Sequence, residues 1–332
     1  MSDRPIFVLG SNSFSGASFC KHMIQQEQPV IAVSRSTEPD SALLPYAWDK
    51  KSKKLLQFYR LDINHHLNEI EALVNKHKID LFYNFAAQSM VGQSWLNPEH
   101  WFMTNAVSTI KLHNMLRKNS YLKRYVHVST PEVYGSCKGS VVENKNYYPS
   151  TPYAVSRAAA DMSLHTFFDS YDFPVVITRA ANVFGEGQQL YRIIPRTILY
   201  VLLGKKLSLH GGGGAVRSFI HIDDVSAATQ VIGEKGQNGE IYHISTNRMI
   251  SIRTLVEKIC TMMDVPFEQL CEMSDDRLGK DHAYLLDTNK IRNELNWQDI
   301  ITLEQGIIRT IDWVKQHFKT LASLPLNYIH KQ

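Results

Sequence analysis

The chain has 332 residues, 44% hydrophobic and 20% charged, with a formal net charge of +4, so it can bury a substantial core and exceeds one minimal domain. That mild charge, without a dense Lys/Arg stripe, argues against nucleic-acid binding, and the one basic run, "DKKSKK" at 49–54, reads as a solvated loop. Cys20, Cys137, Cys260 and Cys271 form no CxxC pair and the histidines form no HExxH pattern, so reduced thiols and no metal site are expected.

The N-terminus passes from "MSDRP" straight into "IFVLG", without a signal-peptide core. Strands are predicted at 6–10, 30–33, 55–61, 81–87, 125–129 and 174–180, and helices at 16–26, 66–77, 99–118 and 153–171. Continuous apolar strands alternating with helices predict a parallel sheet covered on both faces, the α/β doubly wound Rossmann class. The longest apolar run, "TILYVLLG" at 197–204, is shorter than the roughly 20 residues a membrane helix needs, and a cytoplasmic protein with no membrane partner is expected. Farther on, "SFIHIDDVSAATQVI" and "EIYHIS" read as a return to the sheet, and 250–318 as a smaller, mainly helical region with a short strand at "AYLLD". The tail beyond 318 carries no readable signal.

Between the first strand and first helix, "GSNSFSG" spaces Gly10, Ser13 and Gly16 as G-x-x-G-x-x-G with serine in the middle. Gly10 permits a tight turn and Gly16 close packing of helix on strand, leaving a helix N-terminus for a pyrophosphate. With Asn12, Phe14 and Ser15 these residues form the candidate dinucleotide loop. At the end of the second strand stand Ser34 and Arg35 instead of the acid that accepts a ribose hydroxyl in NAD-binding proteins. Arg35 suits a 2′-phosphate, which favours NADP over NAD; the competing reading is a solvated loop charge. Asp62 and Ile63 at the next strand end are candidates for the adenine.

"TPYAVSRAAAD" puts Tyr153 four residues before Arg157, on one helix face. A permanent cation beside a phenol favours the phenolate, which is expected to lower the Tyr153 pKa and make it a candidate general base. Such a pair alone is as easily structural. "VSTPEVYG" adds Thr130 and Glu132 at the end of a strand, either a catalytic pair or the cap of the next turn.

Taken together, "GSNSFSG", "NFAAQS", "STPEVYG", "PYAVSR", "RAANVFG", "VRSFIHIDDV" and "DRLGKDHAYLLD" resemble the extended short-chain dehydrogenase/reductase family, specifically its nucleotide-sugar 4,6-dehydratases, over about residues 5 to 318. The resemblance implies transient oxidation of a hexose at C4, loss of water across C5 and C6, and return of the hydride to C6, giving a 4-keto-6-deoxy sugar. By it, Tyr153 takes the C4 hydroxyl proton, Thr130 supplies a hydrogen bond and Glu132 removes the C5 proton, so that T-x-E is read as a catalytic pair. Tyr153 and Arg157 also join Ala86 and Ala87 in the cofactor site, and the cofactor, NADP or NAD, is expected to be tightly bound. Gln88, Asn182, Arg192, Arg217 and Arg277 fall where the family binds the sugar nucleotide, whose base is open among GDP, dTDP and UDP. A homodimer through the helices at 99–118 and 153–171 is implied as well. Residues 1–180 with 219–246 are expected to form the dinucleotide-binding domain, and 181–218 with 247–320 the smaller substrate domain.

Two departures stand out. Pro131 occupies the place of the aspartate that protonates the leaving hydroxyl in the dTDP-glucose enzymes, an aspartate that the GDP-mannose enzymes lack too. Arg157 replaces the usual lysine, and a guanidinium cannot join a proton relay. A 4-epimerase or decarboxylase on the same scaffold is the neighbouring alternative, and a non-catalytic nucleotide-binding protein the distant one.

Overall fold

A computed structural model describes residues 4–137, 139–274 and 285–331. Seven parallel strands form the central sheet: β1 (Ile6–Leu9), β2 (Val30–Ser34), β3 (Leu56–Arg60), β4 (Leu81–Asn84), β5 (Arg124–Val128), β6 (Val175–Ala180) and β7 (Ile241–Ile244), in the spatial order β7-β6-β5-β4-β1-β2-β3. Alternation along β1 shows why the sheet is covered twice: Ile6 and Val8 join one apolar cluster, Phe7 and Leu9 the other, and all four are buried. Phe7 stacks on Phe82 of the neighbouring strand with ring centroids 4.6 Å apart.

One face is packed by α1 (Phe14–Gln25), through Ala17, Cys20 and Ile24. The other takes α2 (Leu67–His77), α3 (98–116) and α4 (Pro152–Tyr171), through Ile70, Val74, Leu112, Leu116 and Leu164. In α3 the segment Phe102–Ser108 is π-helical between α-helical Pro98–Trp101 and Thr109–Leu116. The helix Ile222–Lys235 returns to the first face, with Val225, Ala228 and Ile232 in its cluster.

The predicted strands and helices are all present, with ends shifted by a few residues: the fourth strand stops at Asn84 because the chain turns outward there, Asn84 Oδ1 accepting from the Ala86 amide at 3.0 Å. "EIYHIS" does rejoin the sheet, as β7. Phe219–His221 does not; it pairs with Asn182–Phe184 in a separate two-stranded sheet. The short strand in "AYLLD" is Leu285–Leu286, paired with Ser140–Val141. A third apolar cluster, including Ile194, Ile198, Leu255, Ile259, Ile307 and Ile311, binds the helices of the C-terminal third to one another. Among the described residues no helix is long and apolar enough to cross a membrane.

The chain runs outward from β1 to β2 and β3 on one side and continues from β4 on the other. That reversal opens a crevice beyond the carboxyl ends of β1 and β4, the place where doubly wound sheets hold ligands.

Candidate active site

Gly10 forms the turn at that crevice. Its φ is +86°, and a Cβ there would lie 2.6 Å from the Ala86 amide nitrogen; at Gly16 one would lie 2.3 Å from the Gly10 carbonyl oxygen. Neither position admits a side chain without moving backbone. Ser13 explains the missing middle glycine. It is the N-cap of α1, its hydroxyl accepting from the Gly16 amide at 3.0 Å and donating to the Gly10 carbonyl at 2.7 Å. Asn12 ties the loop to the next strand end: its amide donates to Ser34 Oγ at 3.2 Å and its side chain to the carbonyls of Ser36 and Thr37 at 2.9 and 3.1 Å.

Gly10, Asn12, Ser13, Ser34, Arg35, Asp62, Ile63, Ala86, Ala87 and Gln88 all line one cleft of about 290 Å³. Phe14 and Gly16 are buried behind it and Ser15 is half-buried. The Arg35 carbonyl accepts from Arg60 Nε at 3.5 Å, and the Arg35 charge acts on Tyr328 and His330. Asp62 caps its own loop, its carboxylate accepting from the Asn64 amide at 2.8 Å.

Beyond β5 the chain enters a short 3-10 turn, Pro131–Tyr134, with Thr130 as N-cap; Thr130 Oγ1 accepts from the Glu132 amide at 3.3 Å. Pro131 sits in the first turn, where no amide is needed and its fixed φ fits. Thr130 is therefore a cap, and the cap bond itself orients the hydroxyl; cap and reactive pair are not exclusive. On α4, Tyr153 is 8% exposed, with Thr130, Arg157, Glu132 and Arg192 close enough to act on its phenol. The expectation of a lowered Tyr153 pKa is not met. Burial raises it above the usual phenol value and outweighs the Arg157, Thr130 and Arg192 contributions that lower it, while Glu132 adds to the rise.

Arg157 is 2% exposed and donates to the Val128 carbonyl at the end of β5, with its other contact at His127 Nε2, 3.4 Å away. One further helical turn along the same face, Asp161 binds Arg179 of β6 at 2.8 Å and accepts from Ser129 Oγ at 2.7 Å. Asp161, Arg179 and His127 have no exposed surface. His127 is held neutral: burial first, then the charges of Arg157 and Arg179, put its pKa well below the usual value.

Of the proposed substrate groups, Gln88 is buried and faces the cleft, its backbone amide donating to Asn105 Oδ1 at 2.8 Å. Asn182 donates to the Ser218 carbonyl at 3.3 Å, beyond the end of β6. Arg192 is the N-cap residue of the helix Ile193–Leu203, and its charge reaches Tyr153. Arg217 lies on the two-residue strand Val216–Arg217, its guanidinium bonded to the Val216 carbonyl at 2.8 Å. Arg277 lies outside the described residues.

Several residues of the site escape sequence reading. Asn105, within the π-helical segment, binds both Gln88 and Ser156 Oγ, the latter at 3.0 Å, and so joins α3, α4 and the loop after β4. Extra residues of this kind gather at functional sites, yet a 3.6-residue period cannot reveal one. Gln189, Tyr191, Tyr328, Ile329 and Lys331 also wall the cleft. A larger hollow of about 760 Å³, between the 134–149 loop and α4, contains none of the candidate site residues.

The sequence pattern of the family described as GDP-mannose 4,6 dehydratase matches residues 7–310. The dTDP-glucose 4,6-dehydratase of Haemophilus influenzae is 30% identical over 336 residues, covering 93% of this chain and 97% of its own. A trifunctional UDP-glucose 4,6-dehydratase, 3,5-epimerase and reductase of Arabidopsis thaliana is 32% identical over 72% of this chain, which spans only 36% of that longer protein. Among solved structures, DesIV, the dTDP-glucose 4,6-dehydratase of Streptomyces venezuelae with NAD and TYD bound, superposes with a TM-score of 0.88 at 28% identity, covering 95% of this chain and 98% of that one.

Proposed function

This chain belongs to the GDP-mannose 4,6-dehydratase family, and we propose that it dehydrates a nucleoside-diphosphate hexose to its 4-keto-6-deoxy product. The observation that carries this reading is the convergence of Thr130, Glu132, Arg157 and Arg192 on the buried Tyr153 phenol. The cradle of Gly10 and Gly16 beside the N-terminus of α1 fits a nicotinamide dinucleotide, which when bound supplies the hydride acceptor and donor. Gly10, Asn12, Ser13, Ser34, Arg35, Asp62, Ile63, Ala86 and Ala87 would hold it. The NADP preference drawn from Arg35 gains no support from the solved relative, whose dinucleotide is NAD, so NAD is the first cofactor to test.

Tyr153 takes the proton of the sugar C4 hydroxyl, with Thr130 stabilising the phenolate by its hydrogen bond. Because burial disfavours that phenolate, the positive charges of Arg157 and Arg192 are needed to hold it. The C4 carbonyl acidifies C5, and Glu132 removes that proton; with Pro131 beside it, Glu132 is also the carboxyl that returns a proton to the departing C6 hydroxyl. A 4-epimerase has no use for a carboxylate at this position. Arg192, Arg217 and Arg277 suit the diphosphate, with Gln88 and Asn182 toward the sugar. The sugar-nucleotide domain would comprise 181–218 with 247–320, and the dinucleotide-binding domain 1–180 with 219–246. Exposed Phe102, Met103 and Val107 on α3 and Val155 and Met162 on α4 support pairing of two copies through these helices.

The test is mass spectrometry of the purified chain incubated with dTDP-glucose, UDP-glucose or GDP-mannose, each with NAD or NADP. Loss of one water from one substrate is expected, falling by about 10²- to 10⁴-fold in Glu132→Gln. Substrates returned intact or only epimerised, or dehydration indifferent to Glu132→Gln, would overturn the reading.

A further inference from the structure

The last residues of the chain cross the cleft. From Leu324 to Lys331 burial alternates strictly: Leu324, Leu326, Tyr328 and His330 are partly buried, while Pro325, Asn327, Ile329 and Lys331 are exposed. The alternation lays one side of this non-helical segment on the protein. The segment is also tied along its length. Arg196 donates to the Leu326 carbonyl at 2.7 Å and to Asn327 Oδ1 at 2.6 Å. The Tyr328 ring meets Tyr191 edge-on at 5.6 Å. The His330 ring stacks on Trp101 at 5.1 Å and bonds His100 at 2.8 Å between ring nitrogens. Finally, the buried Gln88 side chain donates to the Lys331 carbonyl at 2.7 Å.

These contacts seat Tyr328, Ile329 and Lys331 in the walls of the same cleft as Gly10, Ser13, Ser34, Asp62 and Ala86. The strap and the dinucleotide loop thus wall the same cleft, and Gln88, proposed to face the sugar, is occupied by the strap's backbone.

We propose that residues 327–331 form an internal strap that closes the dinucleotide cleft and must withdraw for the cofactor to bind. The proposal rests on the dinucleotide reading above. A closed strap lowers apparent affinity by the fraction of molecules that are open, so removing it tightens binding without adding a contact. The anchor at Leu324 and Leu326 lies in the apolar cluster of the C-terminal helices, which gives a hinge between a fixed root and a releasable tip.

The experiment measures NAD affinity by calorimetry for the full chain and for a chain ending at Leu326, which keeps the root. Binding about tenfold tighter in the shortened chain is expected. A full-length Tyr328→Ser/His330→Ser variant, which loosens the inward face only, is expected to shift the same way by a smaller factor. In the unaltered chain, amide exchange of 327–331 is expected to speed up on adding NAD. Unchanged or weaker NAD binding after truncation, or slower exchange with NAD, would overturn the strap while leaving the dinucleotide reading intact. No NAD binding by any of the three chains would overturn both.

Discussion

The turn after β1 is held by its own atoms, whereas α4 is held by charges brought from elsewhere in the chain. In the first, Gly10, Ser13 and Gly16 satisfy one another within seven residues. In the second, Arg157 and Asp161 reach across to Val128, Ser129 and Arg179 on β5 and β6, with both guanidinium groups and the carboxylate nearly or fully out of water. Local backbone geometry makes the first region insensitive to charge. The second stands or falls with a buried balance of two guanidinium groups against one carboxylate, so changes of charge or pH should separate the two.

Asp161→Asn is expected to have the largest effect. It keeps the shape but leaves Arg179 buried without its ion-pair partner, at a cost of about 3–5 kcal/mol. Urea unfolding would measure it, together with a double variant Asp161→Leu/Arg179→Met. The double variant should cost less than the sum of its two single changes, since both halves of the pair leave together. Additive costs would mean that the cluster is a set of independent contacts and that the contrast between the regions is drawn wrongly.

Acid should probe the same difference less severely. Burial holds the imidazoles of His113 and His243 down to about 3 and that of His165 down to about 4; the charges of Arg179 and Lys145 add to this at His243 and His165 respectively. His113 bonds Ser163 of α4 at 3.0 Å, His165 bonds Tyr147 at 3.1 Å, and His243 lies between Tyr134 and the Asp287 carbonyl, at 2.8 and 3.1 Å. The unfolded chain takes up these protons at about pH 6.5, before the folded one can. The stability they allow is therefore complete above pH 6.5 and is lost as pH falls toward 4, by up to about 1.4 kcal/mol per pH unit for each ring. Urea midpoints at pH 7, 6 and 5 should fall steeply, and a His113→Phe chain should fall less. A flat profile would show that these rings are not the neutral, buried groups described here.

What can be read from the sequence follows the same division. "GSNSFSG" is legible because turn and cap chemistry depend on neighbours a few residues away. The alternation of β1 is legible because its period is short, and the order of motifs carries the family. The partners of Arg157 and Asp161 are not, since nothing in "PYAVSRAAAD" points to Val128 or Arg179. Nor can the burial of Tyr153 be weighed against its cation from sequence, which is why the direction of its pKa shift runs against expectation. Asn105 is hidden by a local change of helical period, and Phe219–His221 has the composition of any strand in the main sheet. The strap is hidden most completely: eight alternating residues become interpretable only beside Gln88, Trp101 and Arg196, which no local pattern brings near them.

The smallest effect is expected in the first region. Replacing Ser13 by Ala removes the N-cap oxygen that accepts from Gly16, for about 1 kcal/mol, while Gly costs only a few tenths because it relaxes into the same turn. Both losses should leave the slope of stability against pH unchanged, since no titrating group is involved in the cap. The serine is then a substitute for the middle glycine that adds a hydrogen bond where glycine adds only freedom. If Ser13→Gly instead costs as much as Ser13→Ala, the bond to the Gly10 carbonyl matters more than the conformational fit, and the loop depends on its side chain more than its glycines suggest. A pH slope that changed with either variant would tie the loop electrostatically to the α4 cluster and remove the contrast between the two regions.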